Sequence, residues 1–145
     1  MFGRYTGTFH RECGEILVET ERVNGLRIYR RRCKGEPFER ILVSETGEVI
    51  INPVEPVNLP TEITNYLLME FSPMVIEPGA TQTVYLKFPV EIGVFVESAK
   101  DMEVLDVFAP GSQKYTLYGS PTSGVIARWY TSAVYPELPP VESFC

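Results

Sequence analysis

The chain has 145 residues, 44% of them hydrophobic and 22% charged, with a formal net charge of −6. That length suits one domain that buries about two-thirds of its unfolded surface, and the composition is that of an ordinary globular protein. The longest charge-free run, Tyr115 to Ala127, is interrupted by Gly119, Pro121 and Gly124, which excludes a membrane-spanning helix of about 20 apolar residues.

The first residues, "MFGRYTGTFHRECGE", hold no apolar stretch of signal-peptide length, so a cytoplasmic protein is expected. Residues 1–40 carry nine basic and six acidic side chains, and residues 41–145 carry four and thirteen. A basic first quarter on an acidic body permits association between unlike surfaces and disfavours nucleic-acid binding over most of the domain.

Nearly every segment that follows reads as strand. "EILVETERV-NG-LRIYRRRC" is a hairpin turning at Asn24-Gly25, the strongest two-residue turn signal. Val23 then faces Leu26, Glu19 faces Arg30, and Ile16 faces Cys33. Cys13 sits three residues from the partner of Cys33, roughly 10 Å along the strand, too far for a disulfide between them. With no CxxC pair, Cys13, Cys33 and Cys145 are expected to be free thiols.

"ERILVSETGEVIIN" predicts a second hairpin turning at Glu45-Thr46-Gly47. Further strands are expected at "TNYLLMEF" (64–71), "TQTVYLKF" (81–88), "EIGVFVE" (91–97), "MEVLDVF" (102–108), "KYTLYG" (114–119) and "VIARWYTSAVY" (125–135). No segment sustains helical periodicity. The expected fold is all-β: a single domain over residues 1–145, a β-sandwich, immunoglobulin-like or jelly-roll-like, of about ten short, mostly antiparallel strands.

The stretch "VIINPVEPVNLP" holds Pro53, Pro56 and Pro60. Proline donates no N–H and forces the preceding residue into extended geometry. Residues 53–60 are therefore expected at a sheet edge or a crossover, and Pro89 at a kink where one strand gives way to the next.

"VIINPVEPVNLPTEITNYLLMEF", "IEPGATQTVYLKFPVEIGVF" and "DVFAPGSQKYTLYGSPTSGVIARWY", in that order, resemble an uncharacterised archaeal domain family over about residues 45–135. The resemblance implies an archaeal cytoplasmic origin and related chains that run on beyond an end like Cys145. It implies no activity, cofactor or catalytic residue. "MVIEPGATQTVYLKF" resembles the strand–PG–strand pattern of immunoglobulin-like sandwiches, an analogy of fold alone. Few Gln and Asn beside abundant Glu and Arg agree with a thermophilic source.

Several chemistries can be weighed. Glu55 and Glu91, each held by neighbouring prolines, are acid–base candidates for a carbohydrate-cleaving sandwich, with Trp129, Tyr130 and Tyr115 to stack on sugar faces. The plainer reading makes each glutamate a strand-end residue. His10, Cys13 and Cys33 offer three zinc ligands, but a structural site needs four in tight pairs, so no metal is expected. Arg27, Arg30, Arg31, Arg32 and Lys34 form an anion-binding candidate, which strand alternation splits between two faces and nearby glutamates neutralise. "GSPTSG" has no lysine after its glycines and is not a phosphate loop. One His and two Asp, Asp101 and Asp106, make a thin inventory for hydrolysis, and neither an enzyme nor a cofactor is expected.

Taking Ser120 to Ser123 as the loop of a hairpin over 113–130 sets Gly119 against Gly124. One face then carries Tyr118 and Val125, Thr116 and Ala127, Lys114 and Trp129. The other carries Leu117 and Ile126, Tyr115 and Arg128, Gln113 and Tyr130. The composition of the second face is that of an interface centre. Tyr115, Leu117, Ile126, Arg128 and Tyr130 are thus the expected contact residues of a binding or assembly module, most simply a homodimer. Cover by the C-terminal tail, through Leu138 and Phe144, is the competing expectation.

Overall fold

The computed structural model describes residues 1–43, 46–55, 64–111 and 113–140. Eleven strands and no helix occur among them. Contacts divide the chain into two compact units, one holding Met1–Glu55 and Glu91–Pro110, the other Pro56–Val90 and Gly111–Glu142.

The first unit is a β-sandwich. Its strands are β1 (Gly3–Tyr5), β2 (Phe9–Cys13), β3 (Ile16–Val23), β4 (Leu26–Cys33), β5 (Glu36–Leu42), β6 (Glu48–Val54), β8 (Glu91–Glu97) and β9 (Met102–Phe108). They form two four-stranded sheets, ordered β2-β3-β4-β5 and β1-β6-β8-β9. Alternate residues of the first sheet, including Ile16, Val18, Tyr29, Cys33 and Leu42, meet Val49, Ile51, Ile92, Val94, Val96, Leu105 and Phe108 of the second in one apolar core. Each such aliphatic side chain contributes about 1.5–3 kcal/mol through burial.

The first hairpin has the expected register: Val23 faces Leu26, Glu19 faces Arg30, and Ile16 faces Cys33. Asn24 and Gly25 both take positive φ, 51° and 80°, the pair of left-handed residues that a type I′ turn requires.

Three features of this unit differ from expectation. The segment over 39–52 is no hairpin: β5 pairs with β4, whereas β6 pairs with β1 and β8 in the opposite sheet. Val49, Ile50 and Ile51 are all buried, and a strand apolar on both faces is better satisfied inside a sheet than as a solvated hairpin arm. Of the anticipated turn, Glu45 lies outside the described residues. Secondly, the N-terminal stretch supplies two strands, β1 and β2, which local pattern did not signal. Thirdly, Cys13 is disulfide-bonded, correcting the free-thiol expectation for that residue. Hairpin geometry spoke only to a pairing with Cys33, which is free as expected; it is also buried, and burial pushes its thiol pKa up. Cys145 lies outside the described residues.

Pro53 occupies β6 opposite Ile92, yet β1 ends its pairing at Ile51. Pro53 thus sits where β6 has lost its outer neighbour, and one ladder can spare the missing N–H. Pro56 and Pro60 lie outside the described residues.

The second unit contains β7 (Leu67–Phe71), β10 (Tyr115–Tyr118) and β11 (Val125–Ser132), a three-stranded sheet ordered β10-β11-β7. β11 runs antiparallel to β10 and parallel to β7. The expected strand over 81–88 is absent. Only Tyr85 bridges to Tyr135, through N–H···O bonds of 2.8 and 3.0 Å in the two directions. A clean apolar alternation makes a strand only where a partner strand runs beside it, and here pairing is confined to one residue.

Gly93, in the middle of β8, shows how tightly the sandwich is packed. A Cβ built there would lie 2.7 Å from Val54 Cγ1 and 2.8 Å from the Phe95 ring. Gly93→Ala is expected to lower the unfolding free energy by about 1–3 kcal/mol, read as a shift of the denaturant midpoint without change in slope.

Candidate functional site

The hairpin made by β10 and β11 gathers five exposed large apolar residues, Tyr115, Leu117, Tyr118, Val125 and Ile126. Its register is the one its loop predicts: Tyr115 faces Arg128, Thr116 faces Ala127, Leu117 faces Ile126 and Tyr118 faces Val125. The loop closes on itself, with the Gly124 N–H donating to the Ser120 carbonyl at 2.7 Å and the Ser120 and Ser123 hydroxyls 2.7 Å apart. Those hydroxyls form a turn lock.

On the proposed contact face, Leu117 and Ile126 are 46% and 49% exposed and Tyr115 is 37% exposed. Leu138 is itself 77% exposed, so it provides no cover for them. Phe144 lies outside the described residues. Tyr130 is half-buried and Arg128 is buried, donating from Nη2 to the Tyr130 hydroxyl at 2.6 Å with its guanidinium 5.3 Å from that ring. Arg128 is thus withdrawn from the surface of the strip, which Leu117, Ile126 and Tyr115 present.

The opposite face is graded. Ala127 is buried and Thr116 and Trp129 are half-buried, while Tyr118 and Val125 at the tip are exposed. The Lys114 ammonium sits 5.9 Å from the Trp129 ring, and Trp129 Nε1 donates to Glu70 at 2.8 Å. Trp129 thus lies on one face of the sheet and Tyr115 and Tyr130 on the other. They form no single platform for a sugar.

Glu55 and Glu91 are placed in different surroundings. Glu91 is wholly buried opposite Val54, and Glu55 is exposed one residue beyond the end of β6. The structure does not aim them at one groove.

The basic run is also divided. Arg27 is buried and spends its two Nη groups on backbone, donating to Gly47 O at 2.5 Å and to Gly7 O at 2.6 Å. Burial, helped by Arg22, pushes its pKa down. Arg30 pairs with Glu21 and, at 2.8 Å, with Glu39. Arg31 turns inward, and Arg32 and Lys34 are exposed. Acidic or carbonyl oxygens thus meet Arg27, Arg30 and Arg31, and the set is no common anion cradle.

Arg31 leads to a buried polar cluster that sequence reading missed. Its Nε donates to Asp106 Oδ2 at 2.7 Å, and the Tyr29 hydroxyl donates to the same oxygen at 2.9 Å. The guanidinium also lies 4.6 Å from the Phe108 ring and 5.1 Å from Phe38. Tyr29 is fully buried, and desolvation followed by the Asp106 charge drives its phenol pKa far up. A bulge creates the site. Val94 pairs with Asp106 but Phe95 pairs with Val104, so Leu105 is the extra residue and both it and Asp106 turn into the interior. The signal was present in "MEVLDVF": Leu105 and Phe108, three apart, cannot share a face of a regular strand.

A groove of about 470 Å³ is lined by Arg40, Leu42, Val96, Asp101, Glu103 and Leu105, among others. Arg40 donates there to the carbonyls of Val104 and Leu105 and to Glu103, each at 3.1 Å. It ties the edge strands β5 and β9 together. Among the described residues no three His, Cys, Asp or Glu side chains are grouped as a metal site. His10 instead bridges Glu19 at 2.8 Å and Glu12 at 3.2 Å.

A family model described as protein of unknown function (DUF432) matches residues 1–144. The chain belongs to that family. The match extends on both sides of the 45–135 stretch that carries the resemblance and runs through both units. No curated protein and no solved structure matches the chain.

Two expectations follow from this geometry. Asp106→Ala strands the Arg31 charge inside the sandwich and should cost about 3–5 kcal/mol. Tyr29→Phe leaves the ion pair intact and should cost about 1.5–3 kcal/mol. Chemical denaturation should rank them in that order. His10, the only histidine, has its pKa raised by its bond to Glu19 and then by Glu12. Its stabilising contribution is fully present below the unfolded-state pKa and is lost as pH rises through the raised folded value. Titration of the single imidazole by NMR should show this elevation, and Glu19→Gln should lower it.

Proposed function

We propose that this member of the family is a binding or assembly module that acts through protein–protein contacts, and that its partner is a second copy of itself. The observation that carries the reading is the exposed strip of Leu117 and Ile126, flanked by Tyr115, on a hairpin whose turn is locked by its own hydroxyls. Contiguous aliphatic and aromatic side chains at a rigid tip are the usual centre of a protein interface. On the same face Arg128 and Tyr130 bond to one another.

We further propose that the two units act as one domain, since the family model runs through both. The setting we propose is an intracellular, thermophilic and archaeal one. The family resemblance and the scarcity of Gln and Asn support it. The disulfide at Cys13 is compatible, because hyperthermophiles are the organisms whose intracellular proteins keep disulfides.

Leu117→Lys places a charge at the centre of the strip without touching the ladder to β11. Sedimentation should shift from dimer to monomer while the far-ultraviolet circular dichroism stays that of a β protein. A wild-type chain that sediments as a monomer at high concentration would overturn the reading.

A further inference from the structure

We infer that the contact is made edge to edge: β10 of one copy pairs antiparallel with β10 of a second copy, about a two-fold axis midway between Thr116 and its copy. This deepens the assembly reading above and rests on it. β10 is the end strand of its sheet. The hydrogen bonds to β11 determine which backbone groups it leaves outward. The Trp129 N–H donates to the Lys114 carbonyl at 2.8 Å, so these residues are a hydrogen-bonded pair. By the antiparallel alternation, Thr116 and Tyr118 also turn their N–H and C=O toward β11. Tyr115 and Leu117 therefore direct theirs to the open edge.

Two identical strands meeting across a two-fold axis perpendicular to the sheet must pair residues of like facing. The axis then passes midway between a residue and its own copy. Centred on Leu117, the pairing would set Tyr115 against Gly119, whose φ of 103° has left extended geometry. Centred on Thr116, it sets Tyr115 against the second copy's Leu117 and the reverse, so that all four outward-turned residues exchange hydrogen bonds. The two copies' strips then join into one apolar band on that face.

Charge supports the same register. Tyr115 to Tyr118 carry no ionisable acid or base of the Asp, Glu, Lys or Arg kind, so no like charges are opposed. The nearest charge, Lys114, falls opposite the second copy's Tyr118, a ring that is 63% exposed and able to receive a cation on its face. Nor is the edge blunted: β10 has no proline, no bulge and no inward charge, the devices that keep natural edges from pairing. Four-residue strands bury little surface against the roughly 1,200–2,000 Å² of stable complexes, so the dimer should be concentration-dependent.

A cysteine at position 116 tests the register. Thr116 and its copy would be a non-hydrogen-bonded pair with Cα atoms about 4.5 Å apart, within the range a disulfide spans. Thr116→Cys should yield a covalent dimer under mild oxidation, seen on a non-reducing gel. Wild type and Val125→Cys, on the strand behind, should not. Leu117→Pro removes an outward N–H and should weaken the dimer while sparing the hairpin. A dimer that Leu117→Lys dissociates but that Thr116→Cys fails to link would overturn the edge pairing and leave the assembly reading standing. A wild-type monomer would overturn both.

Discussion

Where a polypeptide forms no helix, its buried N–H and C=O groups must find partners chiefly on neighbouring strands, and among the described residues there is no helix. That obligation governs this molecule. In the first unit it is met by two four-stranded sheets whose apolar faces share a core, with each interior strand paired on both sides. Pro53 is tolerated because β6 has lost one neighbour at that point. At the edges the same obligation goes unmet within the sheet, and the molecule answers differently in different places. Arg40 reaches from β5 to carbonyls of β9. Among the described residues β10 has no such strap.

Polar groups inside the sandwich follow the rule that a buried charge needs a partner. Asp106 receives both an arginine and a tyrosine on one oxygen, and the arginine lies among aromatic rings. Arg27 is held by two carbonyls, with its Nε lacking an acceptor among the described residues. Replacing such groups with packed aliphatics often stabilises a fold. Their effect here is directional, since they fix how β4 and the bulged β9 sit against each other. A slip of one residue would expel the carboxylate from the core and break both bonds.

Local chemistry made two hairpins legible down to single pairs of residues. Asn24-Gly25 admits one tight turn, and the "GSPTSG" loop set Gly119 against Gly124, so partners such as Thr116 and Ala127 could be counted outward from the turn. The all-β class was equally plain from alternation and turn signals. What could not be read was partner choice at a distance. β5 and β6 are adjacent in sequence with a turn signal between them, yet they serve opposite sheets because Val49 to Ile51 are apolar on both faces. "TQTVYLKF" alternates well and still lacks a companion strand. Cys13 was judged only against Cys33, and the polar cluster around Asp106 depends on a bulge whose one trace was the spacing of Leu105 and Phe108. In the candidate site, the exposed and buried members of the strip have the same alternation, and only packing separates Leu117 from Arg128.

The sheet β2-β3-β4-β5 has a consequence for the order in which the molecule assembles. Its connections are Gly14-Glu15, Asn24-Gly25 and Lys34-Gly35, each two residues long, with positive φ at Gly14, Asn24, Gly25, Lys34 and Gly35. Every pairing within it is local in sequence, so its loop-closure cost is small. The facing sheet must bring Gly3 to Ile51 and Val54 to Glu91 across long intervening segments. Contacts of short separation form faster than those of long separation. On a ribosome, the four-stranded meander is complete in sequence once Leu42 has emerged, before any of β6, β8 or β9 exists to cover it. Its apolar face, with Ile16, Val18 and Tyr29, must then wait uncovered for the chain that follows, and that interval is when the nascent protein is most open to capture by a chaperone or by another copy.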